Sequence, residues 1–396
     1  MLQRIGFNRN LAVVCVTIFG NVFTKFLWYP LLPLYLRALG ASDWEIGIAF
    51  TSLAIAQTLV AIVGGRLADR YGRRNLIALP TLLSGPLYIV AALTNSWIVV
   101  VAMIVGNNIL SALQSPGMNA LIMESSDTNQ VAHSFSFTET AVLLGLILGP
   151  IAGAALLDTF NIPAMMFASA IVLIVTGVAR WVGLVESKQH TVGTESPKLR
   201  AAIDVNVRWY IIIGACVSAS FAIVFGPFFA ILARDAWHNS EAEINLLWSA
   251  GSFASLIGIL LGRLSDRWGS RRVFVLGAFC FGVSTIAWGI APTWETGLIP
   301  LLIAFAFSEG IFIALMALQA RITTPETRSS VIGIITTMTG LIGGLGPTFG
   351  AWLITLGGNS LPFIAAGAMG LLAIAAVTPI RVSTTQWSRT RDADAE

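Results

Sequence analysis

Charge is scarce in this sequence. Only 11% of its 396 residues are Asp, Glu, Lys or Arg, while 56% are hydrophobic and mean hydropathy is +0.80. A soluble domain carries about 25% charged residues, so most of this chain's surface is built to face something other than water. Cysteine is scarcer still. Cys15, Cys216 and Cys280 are far apart and each falls in an apolar run, which excludes a disulfide framework and a thiolate metal site. Three histidines, His133, His190 and His238, fall at helix ends or in loops, so none is placed as a metal ligand or proton relay in mid-membrane. No GxxxxGK[ST] loop is present, which argues against ATP-driven pumping. No nucleophile–base arrangement stands out either, so the expectation is a protein that is not an enzyme.

What the sequence has in abundance is long apolar runs. Twelve stretches of about 20 residues recur, each enough to cross a hydrocarbon core of roughly 30 Å. In the first half they cover about 10–36, 45–64, 75–94, 97–121, 134–157 and 163–184. In the second they cover about 209–233, 244–262, 272–291, 298–320, 331–355 and 361–379. The first run follows Arg4 and Arg9 like a signal peptide, but continues well past a signal core of roughly 7–15 residues and is expected to stay as the first span. The reading is an all-α membrane protein of twelve transmembrane helices in two pseudo-symmetric six-helix bundles, residues 1–185 and 205–380. A polar linker, 186–204, joins them, and a polar tail, 381–396, follows.

Orientation follows from the basic residues. With both termini cytoplasmic, Lys and Arg divide into 20 inside, two outside (Arg37 and Arg234) and one, Lys25, in the membrane. The two halves also repeat. Adding 197 to a first-half number lands on the same residue at Pro30/Pro227, Arg37/Arg234, Gly65/Gly262, Asp69/Asp266, Arg70/Arg267, Gly72/Gly269 and Arg74/Arg271. The register continues through Gly149-Pro150/Gly346-Pro347 and Gly153/Gly350. Six spans per half is an even number, so both halves enter from the same side, giving a parallel repeat about an axis along the membrane normal.

The loop after the second span reads Gly65-Arg66-Leu67-Ala68-Asp69-Arg70-Tyr71-Gly72-Arg73-Arg74, and its partner after the eighth reads Gly262-Arg263-Leu264-Ser265-Asp266-Arg267-Trp268-Gly269-Ser270-Arg271-Arg272. Both resemble G-x-L-x-D-R-x-G-R-[RK], the signature cytoplasmic loop of the major facilitator superfamily, and the second departs only at Ser270. The resemblance covers nearly the whole chain and implies the major facilitator fold. Glycines allow a tight turn, and an Asp at a helix end can pair with arginine and face a helix dipole. In that family the cluster is a conformational latch. Carried over, Gly65, Asp69, Arg70, Gly72 and Arg73 form one copy, with Glu124 or Asp127 as further partners. Gly262, Asp266, Arg267, Gly269 and Arg271 form the other.

Span five carries Gly145, Gly149, Pro150 and Gly153 in Gly145-Leu146-Ile147-Leu148-Gly149-Pro150-Ile151-Ala152-Gly153-Ala154. Glycines four apart share a helix face and admit close packing. The stretch is similar to the superfamily's antiporter motif, with Ala154 in place of the last glycine, and implies an exporter. Three ionisable residues are read within the spans, Lys25, Glu139 and Glu309, and such residues face a cavity or a partner. Glu139 lies about 9 Å from its span's centre, toward the cytoplasm, at 1.5 Å per residue. Thr17, Asn21, Lys25 and Tyr29 recur at i+4 beside Trp28, and Asn107, Asn108, Ser111, Gln114 and Ser115 supply polar groups on span four.

Two uses of these charges compete. Lys25 pairs structurally with Glu139 or another acid, or Glu139 and Glu309 exchange protons and touch substrate beside Asn21, Trp28, Tyr29, Asn108 and Gln114. The first functional expectation is a proton-coupled exporter of small lipophilic or cationic compounds, resembling the twelve-span drug/proton antiporter branch. The alternative is a uniporter or proton symporter of a small organic anion held by Lys25. Either needs no cofactor or metal beyond a proton gradient. The expected partners are a small molecule, protons and the lipid bilayer, without nucleic acid, for a chain acting as a monomer in the inner membrane.

Overall fold

Proline and serine decide where the apolar runs become separate helices. The structure, a computed structural model, describes residues 8–126, 130–186, 205–323 and 328–380; the linker beyond Glu186, Asp127 and the tail lie outside them. Every regular element among the described residues is helical. The first pass is α1 (Arg9–Phe26), a 3-10 turn Tyr29–Leu31, and α2 (Leu32–Ala38). Pro30 and Pro33 stand at the starts of the last two, where a missing backbone N–H is tolerated. Next come α3 (Asp43–Tyr71), α4 (Arg73–Leu93), α5 (Trp97–Ser125), α6 (Val131–Leu156) and α7 (Ile162–Gly183).

The second half opens with α8 (Val205–Val224) and α9 (Phe228–Asp235), the latter capped by Pro227. It continues with α10 (Glu241–Ala254) and α11 (Leu256–Trp268), then α12 (Ser270–Gly289), α13 (Trp294–Ile322), α14 (Arg328–Gly344), α15 (Gly346–Gly357) and α16 (Leu361–Val377). These sixteen helices make twelve passes. Among the described residues nine passes are long and apolar enough to cross a membrane, and Leu361–Val377 adds a shorter apolar helix. The other two, α3 and the α10–α11 pair, begin with acidic capping boxes and end at the two basic loops.

Those capping boxes refine the repeat. The Ser42 hydroxyl accepts from the backbone N–H of Glu45, whose carboxylate accepts from the Ser42 N–H. Ser240 and Glu243 repeat the arrangement. They lie 198 residues on, one outside the 197 register that the surrounding pairs keep. The slip is absorbed within the eighth pass, where α10 is interrupted at Ser255 before the register returns at Gly262.

Within the first half α4 packs on α5 and α7, α3 on α5, and α1 on α6 and α7; within the second, α12 packs on α13 and α16, and α8 on α14 and α16. The halves meet along α6 with α10, and along α3 with α14 and α15. These two seams are related by the repeat: the fifth pass meets the eighth as the eleventh meets the second. Large apolar side chains such as Ile171, Val175 and Val178 on α7 and Phe279 and Val283 on α12 point outward, as a lipid-facing surface requires.

A closed seam and a polar cavity in the first half

Cross-half bonds gather at the end of the molecule that carries Arg37. Its guanidinium joins Asp43 at 2.7 Å and, across the halves, Asp235 at 2.8 Å. Deeper in, the Thr348 hydroxyl and backbone N–H reach Thr51 Oγ1 at 2.8 and 3.1 Å. On the other seam Asn245 donates to the Leu27 carbonyl at 3.0 Å, and Ser249 to the Ile147 carbonyl at 2.6 Å.

At the opposite end the described loop side chains bond within their own halves. Arg73 is buried and forms an ion pair with Glu124. Glu186, the last described residue before the linker, accepts from the backbone N–H groups of Arg73 and Arg74 at 2.8 and 3.1 Å. A carboxylate there meets the positive end of the α4 dipole. Gly72 and Gly269 both hold positive φ, 84° and 90°, at the joints α3/α4 and α11/α12. Arg70 and Arg267 are exposed, and Arg271 donates to the Thr378 carbonyl of its own half. The side chains of Asp69 and Asp266, and the surroundings of Gly65 and Gly262, lie outside the described set.

The span-five motif seats α6 directly on α1. A Cβ at Gly145 would come within 3.0 Å of the Phe23 nitrogen, and one at Gly149 within 2.6 Å of the Phe23 carbonyl oxygen. At Gly153 it would collide with the Leu27 carbonyl that Asn245 grips. Pro150 sits inside an unbroken α6. The stripe therefore fixes the position of the helix that carries Lys25.

A cavity of about 370 Å³ opens among α1, α4, α5, α6 and α7. Asn21, Lys25, Gln114 and Glu139 line it, with Ser84, Tyr88, Asn107 and Asn119. The Lys25 ammonium lies 4.4 Å from the centre of the Tyr29 ring, a cation–π contact. No ion pair to Lys25 occurs among the described residues, so pairing with Glu139 is not how this lysine is held. Glu309 projects from α13 of the other half, with its Cβ against Gly258. It is half-buried and is not among the residues that line this cavity.

Three expected lining residues take other places. Trp28 is fully buried, and its indole N–H donates to Ser169 at 3.0 Å; its bulk and its single donor are both consumed by packing. Tyr29 stacks among Phe26, Trp28 and Phe50 rather than lining the cavity. Asn108 is buried off the cavity, because one residue along a helix turns the side chain by about 100°. Its neighbour Asn107 takes the cavity position and donates to Tyr88 Oη at 3.1 Å.

Arg180 was counted with the cytoplasmic cations and is instead an interior residue of α7, 3% exposed. It donates to Thr17 Oγ1 at 2.9 Å, Thr81 Oγ1 at 2.6 Å and Gln114 Oε1 at 2.8 Å. The signal was legible in principle: Thr17 opens the polar i+4 row of α1, and an arginine one turn from a helix end can reach such a row.

A polar, charged cavity inside a bundle of lipid-facing helices, next to a two-sided seam whose described cross-half bonds gather toward one end, defines a multi-pass membrane transporter. The Major Facilitator Superfamily model matches the chain twice, over residues 14–232 and 210–394, and the chain belongs to that family. It is 22% identical over 275 residues to the quinolone resistance protein NorA of Staphylococcus aureus, covering 67% of this chain and 70% of that one. It is 23% identical over 354 residues to a multi-drug resistance efflux pump PmrA homolog of Lactococcus lactis, covering 83% and 84%. Among solved structures, the nucleoside transporter NupG superposes with a TM-score of 0.80 at 14% identity, over 94% of this chain and 100% of that one. That likeness is one of fold.

Proposed function

We infer that the chain exports small amphiphilic organic compounds in exchange for protons, by alternating access between two six-helix units. The observation that carries this reading is the polar cavity itself, which places Glu139 beside Asn21, Lys25 and Gln114 inside the bundle, with Glu309 half-buried on α13 of the other half. Ionisable groups within membrane spans mark proton and ion pathways, and Glu139 and Glu309 carry the proton in this reading. A cationic group on a substrate competes for the same place. The efflux names of the relatives and the glycine stripe of α6 support the same direction of transport.

Orientation completes the reading. With both termini cytoplasmic in the inner membrane, the seam at Arg37 closes the outer end and the Asp-Arg loops lie inside. Anion uniport or symport is the second reading, favoured by a lysine without an acidic partner.

The test is transport in proteoliposomes under an imposed pH gradient, with a lipophilic cationic dye. Glu309→Gln is expected to abolish gradient-driven accumulation while the protein still inserts and binds dye. Normal accumulation by Glu309→Gln vesicles would falsify the coupling role. Accumulation of small carboxylates and not of the dye would select the anion carrier.

A further inference from the structure

Arg180 and Lys25 share a cavity and share a deficit. Arg180 is 3% exposed, and every oxygen it reaches, on Thr17, Thr81 and Gln114, is neutral. Only Nε and Nη1 are used by those bonds, while the residue lines the cavity. Lys25 has an aromatic face for company and no hydrogen bond or ion pair among the described residues. Among the described residues no acid forms an ion pair with either cation. Glu139 lines the same cavity without an ion pair to either among the described residues.

A buried guanidinium clad only in neutral oxygens is held ready for a partner, since buried charge is stable when paired and hydrogen-bonded. The three bonds also fix the plane of the fork, which is the geometry a carboxylate uses. Eight residues of α1 separate Thr17, at the level of Arg180, from Lys25, so the two cations stand at depths differing by about 12 Å at 1.5 Å per residue. Glu139 lines the same cavity from α6. The cavity thus offers two cationic groups and one carboxylate.

We propose that the substrates of this cavity carry a carboxylate as well as a basic nitrogen, and that Arg180, backed by Lys25, receives the carboxylate while Glu139 faces the nitrogen. The inference rests on the export reading for its cationic half only. Exchange at the acids sets the coupling to protons, and Arg180 sets which amphiphiles bind tightly. Arg180 is a specificity-determining residue in this scheme.

The experiment uses a matched pair of xanthylium dyes, a rhodamine with a free carboxylate and its methyl ester, which differ only in the anion. Binding to the full-length purified protein is read by fluorescence anisotropy, and transport in proteoliposomes by gradient-driven accumulation. The wild-type protein is expected to bind the acid at least tenfold more tightly than the ester, the range for a charge-assisted pair. Arg180→Gln is expected to bring the acid-to-ester ratio of affinities down to about one, and Arg180→Lys to restore part of it. Lys25→Gln, which removes no hydrogen bond, is expected to weaken the preference and carries the test if Arg180→Gln does not fold.

Equal binding of acid and ester by the wild type, or an equal loss of both in the variants, overturns the proposal and leaves proton-coupled export standing. A carboxylate preference that depends on Arg180, in vesicles that accumulate neither dye under the gradient, upholds the proposal and sinks the antiport reading.

Discussion

Gly72 holds φ at 84° where α3 turns into α4, and a Cβ there would come within 3.1 Å of the Glu186 carboxylate that caps α4. Gly269 holds φ at 90° at the equivalent joint with nothing within 4 Å. Left-handed backbone disfavours any L side chain by roughly 1–2 kcal/mol. Gly269→Ala therefore isolates the conformational penalty, and Gly72→Ala adds crowding of a helix cap to it. Both variants are expected to lower the midpoint of thermal unfolding in detergent, Gly72→Ala by more. Equal midpoints for the two would show that the Glu186 cap contributes nothing. At this scale the sequence was read unevenly. Lys25 and Gln114 reached the cavity as their i+4 rows foretold, because helical spacing survives folding. Trp28 and Asn108 did not, since a half-turn of phase hides a side chain and no single helix reveals its neighbours. Arg180 was missed because a cation near a span end looks like a topology signal until the threonines of two other helices surround it.

Among elements, α6 on α1 is the packing on which the cavity depends. Gly145, Gly149 and Gly153 let the two backbones approach until Phe23 and Leu27 leave no space for a side chain. Gly149→Leu would have to push α1 aside by the thickness of that side chain, moving Lys25 and loosening the Asn245–Leu27 bond at the seam. Small-residue seams in membranes gain their stability from close van der Waals contact, so the expected outcome is severe: gradient-driven dye accumulation below about a tenth of wild type. Gly333→Leu, at a helical glycine with nothing within 4 Å, is expected to leave it near wild type. Normal transport by Gly149→Leu would mean that α1 tolerates displacement. The stripe was legible because its period matches the helix. Its partner was not, since spacing shows a face and never names what covers it. The breaks at Pro30 and Pro227 were written as prolines, whereas the interruption at Ser255 has no such local mark.

At the scale of the whole molecule, the repeat turns one contact into two. The seam of α6 with α10 and the seam of α3 with α14 and α15 are images of each other, so closing one end by a rotation of the halves closes both seams together. Twelve passes and the doubled loop were readable from composition and register alone. The closed end was not, because which end a two-state carrier closes is a property of the conformer and not of the chain. The Thr51 and Thr348 hydroxyls, 2.8 Å apart across the halves, offer a direct test of whether this seam opens in the working cycle. Oxygens that close bring their Cβ atoms near the span a disulfide needs. In a background with Cys15, Cys216 and Cys280 replaced, Thr51→Cys with Thr348→Cys is expected to cross-link on oxidation and to stop transport, with activity returning on reduction. Dye binding from the loop side should persist in the cross-linked protein, since the cavity is walled by α1, α4, α5, α6 and α7 and does not include that seam. Undiminished transport by the fully oxidised protein would show that these helices stay together throughout, and the rocking of one half against the other would have to be abandoned.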